Sequence, residues 1–147
     1  QLRGRGPALT LVLDASMALA WVFERQQAKD AARASQLLAT CGEEPWWVPG
    51  LWQLEVANAL LVAERRGLIE PEASDLFRAR LASLPISCDD DTAQERQSRL
   101  VVLARCHGLS SYDATYLELA QRLGARLASF DRRPNQAATA AGVALVP

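Results

Sequence analysis

The sequence predicts an α/β fold, a single three-layer α/β/α domain built on a parallel sheet of about five strands. Three observations carry this expectation. Short runs of branched aliphatic residues alternate with longer segments of helical periodicity along the chain. The first such run, Leu9-Thr10-Leu11-Val12-Leu13, is mostly aliphatic at successive positions, as in a strand covered on both faces. The length of 147 residues suits one domain with a continuous core, and no internal repeat, low-complexity tract or interdomain linker interrupts it.

Bulk properties narrow the chemistry. Half of the residues are hydrophobic and 22% are charged, an ordinary globular balance. No apolar run approaches the ~20 residues of a membrane-spanning helix, and no secretory pattern is present. The expected location is therefore the cytoplasm, with no membrane partner. Gln1 to Pro7 reads as a flexible arm or cloning remnant, leaving residues 8–147 as the domain. Cys41, Cys88 and Cys106 are unclustered, which argues against a disulfide framework or a thiolate metal site. The single histidine, His107, sits where a helix is expected to end. Histidine-based triads and common zinc sites are thus poorly supported, leaving carboxylates, hydroxyls and arginines. The net charge of −1 gives no global signal for nucleic acid, although almost all of the positive charge is arginine.

Taken in order, the first strand ends at Asp14 and a helix is expected over Ala15–Trp21. A second helix spans Ala28–Ala39, stopped near Gly42. Trp46-Trp47-Val48 is a short strand closed by Pro49-Gly50, and Leu51–Arg66 is a helix ended by Gly67. Pro71 opens the next helix, in the first-turn position that proline tolerates, running to about Leu84. Pro85–Cys88 is a third strand, followed by Asp89-Asp90-Asp91, which reads as a solvated, helix-capping loop. Thr92-x-x-Glu95 has capping-box spacing and starts a helix to about His107. Ser110 and Ser111 open a helix through Leu123; Arg126–Phe130 is a fourth strand. A last helix covers about Pro134–Ala141, and Val143–Val146 makes a fifth strand.

Four acids stand out against this frame. Asp14 lies where a central strand gives way to a helix, the place where open α/β sheets bind ligands, and also where aspartate caps helices. Glu55 lies within Leu51–Leu61, apolar around most of the helix, where a carboxylate is costly without a compensating partner. Asn58, one turn on, either hydrogen-bonds Glu55 or simply packs. Asp113 has near capping-box spacing from Ser110, and Asp131 follows the fourth strand much as Asp14 follows the first. If strand order reverses between the first and fourth strands, Asp14 and Asp131 flank one crevice. Carboxylates gathered there repel one another, and a hard divalent cation with oxygen ligands resolves the conflict. Carboxylate-held metal activating water on a phosphodiester is the chemistry that this pattern favours.

Four segments carry a family resemblance: Val12-Leu13-Asp14-Ala15-Ser16, Leu54-Glu55-Val56-Ala57-Asn58-Ala59-Leu60, Ser111-Tyr112-Asp113-Ala114-Thr115-Tyr116-Leu117 and Ser129-Phe130-Asp131-Arg132-Arg133. In order and spacing they resemble PIN-domain ribonucleases, specifically the VapC toxins of bacterial toxin–antitoxin pairs, over essentially Leu9–Val146. No single motif is specific; the ordered set is. The resemblance implies strand order 3-2-1-4-5 and an acidic Mg²⁺ site, with Mn²⁺ able to substitute, formed by Asp14, Glu55, Asp113 and Asp131. It implies a Mg²⁺-dependent endoribonuclease acting on RNA as the toxin of such a pair. By position, Ser16 and Ser129 would hydrogen-bond carboxylates or metal-bound water, or else cap helix and strand ends. Arg132 and Arg133 are candidates for RNA phosphate contact, with solvated surface charge as the alternative. The partners implied are a second copy of the chain in a homodimer and a VapB-like antitoxin, in a heterotetramer or larger. Trp46, Trp47 and Trp52 would serve that interface, stack on RNA bases, or pack in the core. Pro134 departs from the aliphatic residue common in relatives and leaves the start of the last helix open.

Two other classes remain at this level. One is a non-catalytic PIN-like interaction module or phospho-receiver, against which the retention of all four acids argues. The other is a phosphatase with an aspartyl nucleophile, disfavoured because Ser16 stands where that chemistry usually has a second acid.

Overall fold

The computed structural model describes residues 10–23, 28–90 and 93–147. The proposed arm at residues 1–7, the start of the first strand at Leu9, and Asp91 and Thr92 of the proposed capping loop lie outside them. The order is β1 (Leu11–Leu13), α1 (Ala15–Leu19), α2 (Ala28–Ala39), β2 (Trp46–Pro49), α3 (Leu51–Arg65), α4 (Pro71–Ser83), β3 (Ile86–Asp89), α5 (Gln94–His107), α6 (Ser111–Leu123), β4 (Arg126–Ala128) and α7 (Arg132–Ala140).

The strands form one parallel sheet of order β3-β2-β1-β4. Successive strand residues point to opposite faces, and Leu11, Val12 and Leu13 are all fully buried. Both faces of β1 are therefore covered, as its unbroken aliphatic run predicts. On one side α6 packs on β1, β2 and β4 with α5 and α7 beside it, while α1, α3 and α4 pack in succession. No helix among the described residues is long and apolar enough to cross a membrane.

The fifth strand shrinks to a single bridge, Leu127↔Leu145, made by Leu127 N–H to Ala144 O at 2.9 Å and Val146 N–H to Leu127 O at 3.0 Å. The reason is the shortness of β4. In a parallel ladder alternate residues direct their N–H and C=O to opposite neighbours. Arg126 and Ala128 bond toward β1, through Thr10 O and the Asp14 N–H, so Leu127 alone serves the outer edge.

The first helix is also shorter than the expected Ala15–Trp21. After Leu19 the chain tightens, with the Trp21 N–H on Ala18 O, and Trp21 turns inward to donate Nε1–H to Ala34 O at 2.8 Å and stack on Trp46. Trp46 and Trp52 are buried at 1% and 5% exposure, which removes both from any RNA-stacking or interface role; Trp47 is half-buried. The last helix begins at Arg132, two residues before the expected start, with Pro134 buried in its first turn. Proline is tolerated there because the first helical N–H groups have no intrahelical acceptor. The helices α5 and α6 end at Gly108 and Gly124, both in the left-handed conformation, φ 63° and 61°, that glycine adopts most easily.

The expected solvated loop after the third strand is corrected at its first residue. Asp89 closes β3 and takes Arg96 Nη1 at 2.8 Å and Arg122 Nη2 at 2.7 Å. Arg122 also donates Nε–H to buried Glu118 at 3.0 Å, and Arg96 and Arg99 approach the same carboxylate at 3.6 Å. This network joins β3, α5 and α6 along the sheet edge remote from β4.

Candidate active site

Strand register creates the site. Leu13 pairs with Ala128 across β1 and β4, so the residues that follow, Asp14 and Ser129, leave the sheet side by side. Since β2 lies on the other flank of β1, this is the point where strand order reverses, the position at which open α/β sheets place their ligands, beyond the strands' C-terminal ends.

Asp14 is buried at 4% exposure and performs both tasks weighed from the sequence, with different atoms. Its backbone carbonyl accepts from the Met17 and Ala18 N–H groups and caps α1, while its side chain makes no capping bond. Instead Oδ2 accepts from the Ser16 hydroxyl at 2.7 Å and from the Ser129 hydroxyl at 2.6 Å. Each hydroxyl has one hydrogen, so both donate to Asp14 and their mutual 3.3 Å approach is not a further strong bond. Ser16 Oγ accepts from the Phe130 N–H at 3.0 Å and Ser129 Oγ from the Asp131 N–H at 2.9 Å. The two serines thus stitch the loop after β4 onto Asp14. Among the described residues, Oδ1 of Asp14 carries no such bond.

Glu55 is half-buried on α3 and accepts the Tyr116 hydroxyl at 2.7 Å through Oε1. Burial pushes its carboxyl above the ordinary range; the Tyr116 bond opposes this, and the negative charges of Asp14 and Asp113 add to it. Asp113 lies in the first turn of α6, where its N–H bonds Ser110 Oγ at 3.0 Å. Its carboxyl is likewise raised, by burial first and then by Asp14, against the lowering influence of Ser110 and Arg133. Three acids from three separated segments therefore feel one another's charge. Asp131 is exposed at the N-terminus of α7 and is joined to them by its backbone bond to Ser129.

The supporting residues sort unequally. Ser16 and Ser129 hold Asp14 as the first of their two roles requires. Asn58 is exposed, and the hydrogen bond that Glu55 receives comes from Tyr116 instead. Arg132 and Arg133 are exposed in the first turn of α7, with Arg133 close enough to lower the Asp113 carboxyl. Two residues escaped the sequence reading. Tyr116 lies within a quoted motif, but nothing local reveals a partner on α3. Asn135 donates Nδ2–H to Ser129 O at 2.9 Å and leaves its buried Oδ1 without a partner, bracing the same loop.

Among the described residues, no three acidic, histidine or cysteine side chains already stand as a metal shell. Asp14, Glu55 and Asp113 nonetheless lie within electrostatic reach of one another as groups of like charge. Their donors are all hard oxygen, and one oxygen of buried Asp14 makes no hydrogen bond among the described residues. Those features suit a hard divalent cation.

The PIN domain family model matches residues 11–140. The chain belongs to the PIN-domain family. It is 33% identical over 129 residues to Ribonuclease VapC3 of Pyrobaculum aerophilum, covering 85% of this chain and 92% of that protein. Solved PIN-like structures share the fold. VapC20 of Mycobacterium tuberculosis, described as a sarcin-ricin loop cleaving toxin, superposes with a TM-score of 0.66 at 17% identity, covering 92% of this chain and 98% of its own. FitAcB of Neisseria gonorrhoeae gives 0.64 at 15%, covering 93% and 96%.

Proposed function

We propose that this PIN domain is a metal-dependent endoribonuclease acting as the toxin of a toxin–antitoxin pair. The observation that carries the reading is the placement of Asp14: a buried carboxylate held through Oδ2 by two serines, with Glu55 and Asp113 within electrostatic reach. Likeness to a VapC ribonuclease over most of both chains supports it.

Asp14, Glu55 and Asp113, completed by Asp131, would hold Mg²⁺, or Mn²⁺ in its place. Bound there, the ion would activate water and offset charge on the phosphodiester. The chain's own residues do the rest. Ser16 and Ser129 fix the direction of the Asp14 carboxylate. Arg133, beside Asp113 on an exposed turn, and Arg132 next to it supply guanidinium groups for RNA phosphates. Both are exposed, so they can meet the backbone of a single-stranded or looped RNA whose scissile phosphate would reach the acids.

A protein partner has a place to dock. Leu54 and Leu61 are 74% and 48% exposed, and their seven-residue spacing puts them on one side of α3. Exposed Asn58 lies between them, and such a mixed apolar and polar face fits a second copy of the chain or an antitoxin segment. A toxin–antitoxin complex from Klebsiella pneumoniae, which shares the fold, supports the same reading.

The test is Asp14→Asn, which keeps the shape and both serine bonds but removes the charge. Cleavage of single-stranded RNA in Mg²⁺ should fall by a factor on the order of 100 or more, with an unchanged circular-dichroism spectrum. A variant that cleaves at the wild-type rate would end the proposal.

A further inference from the structure

Tyr116 links α6 to Glu55 on α3. It is 1% exposed, projects from α6 and donates its hydroxyl to Glu55 Oε1 at 2.7 Å. A phenol has one hydrogen to donate, and here it goes to Glu55. Filling space in the core accounts for the ring. It does not account for the hydroxyl, which phenylalanine would omit at no cost in buried polar surface.

We infer that Tyr116 is a positioning residue, holding the Glu55 carboxylate through Oε1 from α6 and thereby turning Glu55 Oε2 toward a divalent cation shared with Asp14. The inference rests on the metal-dependent reading above. It assigns Tyr116 no contact with substrate; its effect passes through Glu55. Partners that orient metal-binding carboxylates typically contribute about 10–100-fold to metal affinity.

The chain has two tyrosines, Tyr112 and Tyr116, so 3-fluorotyrosine gives two fluorine resonances, assigned through Tyr112→Phe. Adding Mg²⁺ should shift the Tyr116 resonance in the otherwise unaltered protein and leave it in place in Glu55→Gln. Calorimetry on Tyr116→Phe should show Mg²⁺ binding weakened about tenfold. RNA cleavage should lose kcat while KM stays near wild type, and adding Tyr116→Phe to Glu55→Gln should cost nothing more. A protein that binds Mg²⁺ without moving the Tyr116 resonance overturns the inference. So does a folded Tyr116→Phe that binds Mg²⁺ as wild type does. Because the fluorine experiment retains Tyr116, it decides the matter even if the phenylalanine variant fails to fold. A wild-type chain that neither binds Mg²⁺ nor cleaves RNA fails earlier, at the functional reading itself.

Discussion

Ser129 concentrates more of the site's geometry than any acid except Asp14. Its hydroxyl donates to Asp14 Oδ2 and accepts from the Asp131 N–H, while its carbonyl receives Asn135. Removing the hydroxyl leaves Asp14 Oδ2 held by Ser16 alone and takes away the acceptor of the Asp131 N–H. Ser129→Ala is therefore expected to lower RNA cleavage about 10–100-fold, whereas Ser129→Thr, which keeps the hydroxyl, should retain most of it. Initial rates at saturating Mg²⁺ check this; equal activity of the alanine and threonine variants would show that the hydroxyl does not matter. Asp14, Ser16 and Ser129 were legible in the sequence because each occupies a motif position. Tyr116 and Asn135 were not, because their polar partners lie on elements that only the folded chain brings near. Glu55 illustrates the boundary. Its apolar neighbours announced that it needs a partner, but the partner is 61 residues away rather than one turn on at Asn58.

At the level of elements, periodicity located the helices well and strand ends poorly. Helix α2 runs Ala28–Ala39 as its spacing predicts, since helical repetition over several turns is redundant information. The strands are three or four residues long, too short for pattern alone to fix their ends. The fifth strand failed for the related reason that β4 offers its outer edge one residue. The charge network at the opposite sheet edge was also invisible, because Asp89 sits in a run of aspartates that resembles a solvated cap. Its centre is Glu118, 3% exposed and approached by Arg96, Arg99 and Arg122. Glu118 is the buried acceptor that these arginines share beside Asp89, so Glu118→Ala is expected to cost about 1–3 kcal/mol of folding stability. Urea unfolding measures that loss. A variant as stable as wild type would mean that the arginines relax into solvent without penalty.

For the whole molecule, the site sets stability and function against each other, and pH separates them. Glu55 and Asp113 have carboxyls raised above their ordinary 4.5 and 3.8 in the fold, chiefly by burial and then by neighbouring negative charge. A folded-state value above the unfolded one means that the native state binds protons more readily. The stabilisation from protonating these two groups is thus fully present below the ordinary values. It is lost as pH rises through the raised ones, so at neutral pH their charges oppose folding. A divalent cation reverses the balance because it binds the charged forms. Glu55→Gln without added metal should melt above wild type at neutral pH, and the difference should shrink as pH falls toward 4. The increase in melting temperature on adding Mg²⁺ should run the other way in wild type, small near pH 4 and larger toward pH 8. It should be reduced in the glutamine variant throughout. Parallel thermal melts of both proteins, with Mg²⁺ and with chelator, read all four arms. A glutamine variant less stable than wild type at neutral pH would mean that Glu55 contributes to the fold as a charged group, and that the cluster is not a strained acidic site awaiting a cation.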